Sequence, residues 1–352
     1  MKQTLVLYPT PGMGHLLPMV ELGKLFLSHG FSVAVITANS TFTAATSTAT
    51  FISRISSSHP FLSFHPLPSV SLPKNPSPHH EAQTFDLLRL SNPHLLTLLS
   101  DLSQSSSVRA LILDFFCTIA LDVAAELHIP SYIFFPSSGA SLAAFLHLPT
   151  LHSVVTTSFK DLGDYLLRFP GLPPIPARDM PLPLLNRDEE AYKAFIFSFS
   201  QMTDVDGIIA NTFLALEPRP LQAIADGLAT PAKKAPPVYS IGPLIQSQAE
   251  HHHDCFKWLD KQPQQSVGFL CFGSLGAFSA KQLREIAIGL ERSGQRFLWV
   301  VRSPPAAALA LGGGESAKLT ELPAEPELEA LLPEGFVDRT RGRGMVGKAW
   351  AP

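Results

Sequence analysis

Short, nearly continuous apolar runs at 4–8, 32–36, 110–113, 131–135, 207–210 and 238–241 alternate with stretches at 16–27, 85–102, 119–127 and 140–148 whose apolar residues recur at helical spacing. A strand apolar at successive positions must be buried on both faces, and strands joined by helices run in one direction. The pattern therefore predicts a parallel sheet covered by helices on both sides. Pro93 falls inside the second helix, where its missing N–H and its ring predict a kink or a split. The Ser- and Pro-rich stretches 56–78 and 169–183 break the rhythm and read as long loops, either bordering a site or running over the surface.

A second rhythm begins after Gly242-Pro243. Residues 246–254 read as a linker. Their His251-His252-His253 run cannot share one helical face, so a solvated loop is preferred to a metal site. A strand at 267–272 leads through Gly273-Ser274-Leu275-Gly276 into a helix opened by a Ser279–Gln282 capping box. Leu283, Ile286, Ala287 and Leu290 form its buried stripe, and Gly294 stops it. A strand follows at 297–301. The Ala/Gly/Pro/Glu-rich insert 304–329, with Gly312-Gly313-Gly314, reads as a mobile loop rather than a phosphate cradle, and a last short strand is expected at 345–348. A length of 352 residues is long for one core. The organisation expected is a first domain over 1–242, a linker over 243–254 and a second domain over 255–352. The second has few strands for a design that normally needs more βα units to cover its sheet.

Composition narrows the function. Hydrophobic residues at 45% and charged residues at 16% describe a well-packed chain, and a net charge of −3 gives no electrostatic reason to expect nucleic acid or an anionic membrane surface. The first apolar run is cut short by Pro9, Pro11 and Gly12, too early for a secretory signal. No stretch reaches the roughly 20 apolar residues of a membrane span. The three cysteines, Cys117, Cys255 and Cys271, lack metal-ligand spacing, and their odd number argues against a disulfide framework. The cytoplasm is the simplest compartment, and no metal is expected.

Two residues carry candidate chemistry. His15 follows the first strand and opens the first helix, where ligands of open α/β sheets bind and where an imidazole can accept a proton near neutral pH. Asp114 ends the buried run Ala110-Leu111-Ile112-Leu113, and a carboxylate there needs a partner. That partner is either a backbone donor or His15. A His–Asp couple would fix the imidazole tautomer and stabilise the imidazolium, while the helix N-terminus would help keep His15 neutral beforehand.

Competing motifs fail. Gly12-x-Gly14 is followed by Leu17 where a dinucleotide fingerprint needs glycine, and the second strand ends Ile36-Thr37-Ala38-Asn39 without a carboxylate for a ribose. The nucleophile-elbow pattern is broken by Phe272 before Ser274 and by Ala143 after Ser141. Gly273-Ser274 ahead of a capped helix reads equally as an anion seat or as an ordinary strand-to-helix turn. Trp350 offers a flat face to a base or simply packs, and the 24 phenylalanines suit an apolar pocket as well as an apolar core.

In this order, Pro11-Gly12-Met13-Gly14-His15-Leu16-Leu17-Pro18, Asp114-Phe115-Phe116-Cys117, Ile241-Gly242-Pro243-Leu244, Trp258-Leu259-Asp260-Lys261-Gln262-Pro263, Phe272-Gly273-Ser274-Leu275-Gly276 and Leu332-Pro333-Glu334-Gly335-Phe336 carry a resemblance over nearly the whole chain. The sequence resembles the plant UDP-sugar-dependent glycosyltransferases that decorate phenolic small molecules. Within them it looks most like enzymes acting on chalcones, dihydrochalcones, flavonols or isoflavones. The resemblance implies an α/β fold of the GT-B class, two Rossmann-like domains with parallel sheets and the active site between them, the C-terminal domain being incomplete in this chain. It implies inverting transfer of glucose from UDP-glucose to a phenolic hydroxyl without a metal, His15 acting as general base and Asp114 supporting it. It further implies Ser137, Gly273, Ser274 and Trp350 on the donor side, with Trp350 stacked on uracil. Phe116, Phe85 and Phe145, with Gly14 and Ser138, would line the acceptor site.

Trp350-Ala351-Pro352 match only the first three residues of the family's long C-terminal signature box, whose remaining residues hold the ribose, phosphates and sugar. The expectation is a fragment or a piece complemented by a companion chain, with little turnover alone. Two alternatives stand beside the leading reading: a truncated, non-catalytic homologue that binds an aromatic molecule, and a glycosyltransferase that joins glucose to a ring carbon.

Overall fold

A computed structural model describes residues 3–38, 45–73, 77, 79–245, 254–273, 278–304 and 326–348. The chain divides into two compact units, Met1–Ile245 and Gln246–Pro352. The first carries, in order, β1 (Gln3–Tyr8), α1 (Met13–Ser28), β2 (Ser32–Thr37), α2 (Ala45–Ser58), β3 (Leu62–Pro66), α3 (His80–Ser105), β4 (Ser107–Asp114), α4 (Leu121–Glu126), β5 (Ser131–Phe135), α5 (Gly139–Val154), β6 (Leu166–Leu167), β7 (Ile175–Pro176), α6 (Leu182–Leu185), α7 (Glu190–Gln201), β8 (Gly207–Ala210), α8 (Pro218–Ala225) and β9 (Val238–Ser240).

Seven of these strands form one parallel sheet in the order β3-β2-β1-β4-β5-β8-β9. Because side chains alternate across a strand, the apolar runs divide between two cores. Val6, Tyr8, Ile36, Leu111, Leu113, Ile133 and Phe135 face one side, packed under Leu88, Leu95 and Leu99 of α3, Leu142 and Leu146 of α5, and Phe195 and Phe199 of α7. Leu5, Leu7, Val33, Val35, Ala110, Ile112 and Phe134 face the other, beneath Leu16, Met19, Val20 and Leu22 of α1 and Phe51 and Ile55 of α2. This is the two-sided burial that unbroken apolar strands require.

The structure corrects the sequence reading in several places. The stretch 56–78 is not one loop: it holds the end of α2 and all of β3, which pairs with β2 at the sheet edge. Only Leu62 of β3 is buried, so little apolar pattern was there to read. The stretch 169–183 contains β7, a 3₁₀ turn at Ala177–Asp179 and the start of α6, and β7 pairs antiparallel with β6. The helices α7 and α8 were not anticipated. Pro93 does not split α3, which runs through it from His80 to Ser105. Buried Leu88 before the proline and Leu95 and Leu99 after it hold both halves on the sheet.

In the second unit, α9 (Asp254–Leu259) precedes β10 (Val267–Leu270), α10 (Ala280–Ser293), β11 (Arg296–Val301), α11 (Leu328–Leu331), α12 (Phe336–Thr340) and β12 (Gly344–Lys348). The described strands pair in parallel as β10-β11-β12. The capping box forms as read: the Gln282 N–H donates to Ser279 Oγ at 3.3 Å, the Ser279 N–H donates to Gln282 Oε1 at 3.0 Å, and Gly294 closes the helix in the left-handed region. Leu283 and Ala287 pack on Phe297, Trp299, Val301, Leu332 and Phe336. Ser274 and Trp350, with Leu275, Gly276, the three histidines and residues 305–325 of the insert, lie outside the described residues. Among the described residues no helix is long and apolar enough to cross a membrane.

Candidate active site

The strand order decides where the site lies. From β1 the chain steps outward through β2 to β3, and from β4 it steps the other way, so the order reverses between adjacent strands β1 and β4. At such a switch point the connections leave the two carboxyl ends in opposite directions and open a crevice between them. β1 leaves through Pro9-Thr10-Pro11-Gly12. Gly12, at φ 125°, adopts a backbone closed to other residues and turns the chain at once into α1, making His15 the third residue of that helix. Asp114 is the last residue of β4, and the register pairs Tyr8 with Leu113. Thr10, His15 and Asp114 are thereby brought to one point.

Asp114 is fully buried, and its carboxylate is closely held. Oδ1 accepts the Thr10 hydroxyl at 2.6 Å and the Phe116 N–H at 3.1 Å, and Oδ2 lies 2.9 Å from His15 Nδ1. An ionised carboxylate only accepts, so His15 Nδ1 carries the proton and Nε2 presents a lone pair. Burial of the ring pushes its pKa down, but the charge and hydrogen bond of Asp114 together carry it up from the usual histidine value. The carboxylate in direct contact acts against the neutral ring that the helix N-terminus was expected to favour. Thr10 has one hydroxyl proton, already given to Asp114, so the Cys117 thiol, 3.5 Å away, is the donor to Thr10 Oγ1. Burial and the Asp114 charge push the Cys117 pKa well up, which keeps it a thiol rather than a nucleophile.

Aromatic rings pack beside the pair. Phe116 meets the His15 ring edge-on at 5.5 Å, and Phe115 lies at 5.9 Å. Phe85 on α3 and Phe195 on α7 pack on Phe116 at 5.2 and 5.4 Å. Phe145 on α5 is one ring further out, 6.0 Å from Phe115 and stacked on Phe199 at 4.3 Å. Of the residues picked from sequence, the structure therefore brings together His15, Asp114, Phe85 and Phe116, with Phe145 behind them. Thr10, Phe195 and Phe199 were missed. A signal for the last two existed: Ala191, Tyr192, Phe195, Ser198 and Phe199 form the buried stripe of α7 at helical spacing.

The other candidates sit differently. Gly14 is exposed, and an added Cβ there would meet open space. Ser137 is exposed just beyond β5. Ser138 is the N-cap of α5, accepting the Ser141 N–H at 3.1 Å and donating to Ser141 Oγ at 3.0 Å. The first N–H groups of α5 are met by the chain's own Glu217, which accepts from Gly139 at 2.6 Å, from Ala140 at 3.1 Å and from the Thr212 hydroxyl. Burial pushes the Glu217 pKa up, but these three bonds hold it below the usual carboxylate value. In the second unit Gly273 is exposed at φ 74°, and its carbonyl accepts from Arg302 Nη1 at 3.2 Å. Among the described residues no group of three or more His, Cys, Asp or Glu side chains could hold a metal ion.

No family model matches the sequence. Individual proteins do. The chain is 46% identical over 352 residues to UDP-glycosyltransferase 88B1 of Stevia rebaudiana, covering 99% of this chain and 73% of that protein. It is 45% identical over 368 residues to phloretin 2'-O-glucosyltransferase of Pyrus communis, covering 100% of this chain and 75% of that protein. Among solved structures, UGT2 of Phytolacca americana complexed with UDP-2fluoro-glucose and pterostilbene superposes with a TM-score of 0.84 at 36% identity, over 99% of this chain and 72% of that one. With parallel α/β units of the GT-B class and identities of this size over nearly all its residues, the chain belongs to the plant UDP-glycosyltransferases, a family of enzymes.

Proposed function

We propose that this enzyme transfers glucose from UDP-glucose to a phenolic hydroxyl of a flavonoid, chalcone or related plant phenol. His15 Nε2 removes the hydroxyl proton. The oxygen attacks the anomeric carbon of the sugar in line, the bond from that carbon to the diphosphate oxygen breaks, and its electron pair leaves with UDP. The configuration inverts to a β-glucoside, and the proton remains on His15. Phenols resemble tyrosine, with an ordinary pKa of about 10 against about 6.5 for histidine. A raised His15 pKa narrows that gap, and concerting proton removal with attack closes the rest. Asp114 holds the tautomer that leaves Nε2 free and stabilises the imidazolium as it forms.

The observation that carries this reading is the 2.9 Å contact between His15 Nδ1 and Asp114 Oδ2 at the switch point of the sheet, in a chain 45% identical to a phloretin glucosyltransferase. Phe85, Phe116 and Phe145 supply flat apolar surface for an aromatic acceptor, with Gly14 and Ser138 at its polar rim. Ser137, Gly273, Ser274 and Trp350 are assigned to the donor, which binds without a metal. The test is direct. Joined to the C-terminal part of a relative and incubated with UDP-glucose and phloretin, the chain should give a glucoside detected by mass, and acid should release its sugar; a product that resists acid would mean carbon–carbon transfer. Calorimetric titration of phloretin gives a readout independent of transfer. Phloretin binding without product, even after that C-terminal part is supplied, would favour a non-catalytic role.

A further inference from the structure

Serines on the helices of this protein mostly donate to their own helix. Ser57, Ser91, Ser100 and Ser103 each bond the carbonyl four residues back, and Ser200 of α7 bonds Phe197 three back. Such local bonds are the default for a helical serine. Ser198, almost fully buried on the same α7, departs from it. Its Oγ donates across the fold to the Phe115 carbonyl at 2.9 Å.

That bond uses the one proton a serine hydroxyl has. The Thr118 hydroxyl, 2.8 Å from Ser198 Oγ and equally buried, must therefore donate to Ser198. The carbonyl of Phe115 and the N–H of Phe116 belong to one peptide group, and that N–H donates to Asp114 Oδ1 at 3.1 Å. Every donor thus points the same way: Thr118 to Ser198, Ser198 to the peptide carbonyl, the peptide N–H to the carboxylate. Aligned hydrogen bonds in a buried setting polarise one another, so the last donor is strengthened by those behind it. The planar peptide is also clamped at both ends and cannot rotate away from Asp114.

We propose that Ser198, backed by Thr118, is a positioning residue for the His15–Asp114 pair: it fixes the Phe115–Phe116 peptide, which holds Oδ1 and turns Oδ2 toward His15 Nδ1. This rests on reading His15 as the general base. Its substrate side is untouched, since Ser198 reaches the pair only through backbone.

The test is a ¹³C NMR titration of His15 in the 352-residue chain, the resonance being assigned by its loss in His15→Ala. Ser198→Ala should lower the His15 midpoint by about half a pH unit, because a loosened carboxylate supports the imidazolium less well. Thr118→Val, which leaves the Ser198–Phe115 bond intact, should move it the same way by less, and Ser198→Cys, a weak donor of similar shape, should fall between wild type and Ser198→Ala. In turnover by the chain joined to a relative's C-terminal part, kcat should fall about 3- to 10-fold for Ser198→Ala with KM for UDP-glucose unchanged. A midpoint unmoved in both Ser198→Ala and Thr118→Val overturns the proposal, even if both variants melt early, since that outcome is packing alone. If Ser198→Ala does not fold, Thr118→Val decides by itself. The titration involves no sugar transfer, so shifted midpoints with no glucosylation even by the chain joined to a relative's C-terminal part would fault the proposed reaction and leave this proposal standing.

Discussion

The ends of β4 and β10 are alike in connectivity and opposite in setting. Each is the carboxyl end of a strand of a parallel sheet. At β4 the turn is sealed: Asp114 has no exposed surface, and each carboxylate oxygen is matched to a donor. At β10 and just after it the described residues Phe269, Phe272 and Gly273 are all exposed. The contrast separates two kinds of requirement. A group that holds or moves a proton is tuned by burial and by a charge in contact, because only a low dielectric gives those forces leverage. An exposed glycine such as Gly273 answers instead to its own dihedral angles.

Breaking the sealed end should cost most. His15→Ala should lower kcat about 100- to 10,000-fold in an assay of phloretin glucosylation, the range general bases supply. Asp114→Asn should follow at about 10- to 1,000-fold, since an amide facing Nδ1 favours the wrong tautomer. The pH profile sharpens the same point. As the proposed base His15 must be neutral to act, so with its pKa raised the acid limb of kcat should lie above the ordinary histidine value, and in Asp114→Asn, where burial alone remains, the limb should move down. Stability follows the opposite sign. A pKa raised on folding stabilises the chain fully below the unfolded value of about 6.5, and that contribution is lost as pH rises through the folded value. The difference in unfolding free energy between wild type and His15→Gln, measured by circular dichroism in urea, should therefore shrink as pH rises above about 6.5.

Thr10→Val should come next. It removes the hydroxyl that donates to a buried carboxylate, a loss of about 1.5–3 kcal/mol in a urea melt. Gly273→Ala should be smallest. Nothing would touch the added methyl, so the change costs only the strain of a left-handed backbone, about 1–2 kcal/mol, and an equal loss at both ends would erase the contrast drawn above.

How much of this was legible in the sequence varies with how local the signal is. Six strands of the large sheet and the Ser279–Gln282 cap could be read directly, since each rests on the spacing of residues within one element. β3 was not legible, because an edge strand with one buried residue lacks the unbroken apolar run of its neighbours. α7 was legible in principle, since its buried residues recur at helical spacing, although Ser198 interrupts the apolar character of that stripe. Pro93 predicted a break from local sterics, and packing of leucines on either side overrode it.

The same division runs through the site. His15, Asp114, Phe85 and Phe116 could be chosen by residue type and by position at the ends of elements. Thr10 and Ser198 could not, since a threonine in a turn and a serine in a helix look ordinary until their partners are known. The sequence alone determined six of the seven strands of the large sheet and which side chains could accept or give a proton, because both are properties of neighbours along the chain. Only the tertiary structure decided that β1 and β4 lie side by side, and so that hydrogen bonds spanning 83 to 104 residues converge on one carboxylate and the peptide beside it. Strand order is set by packing both faces of the whole sheet at once, and no local pattern records it.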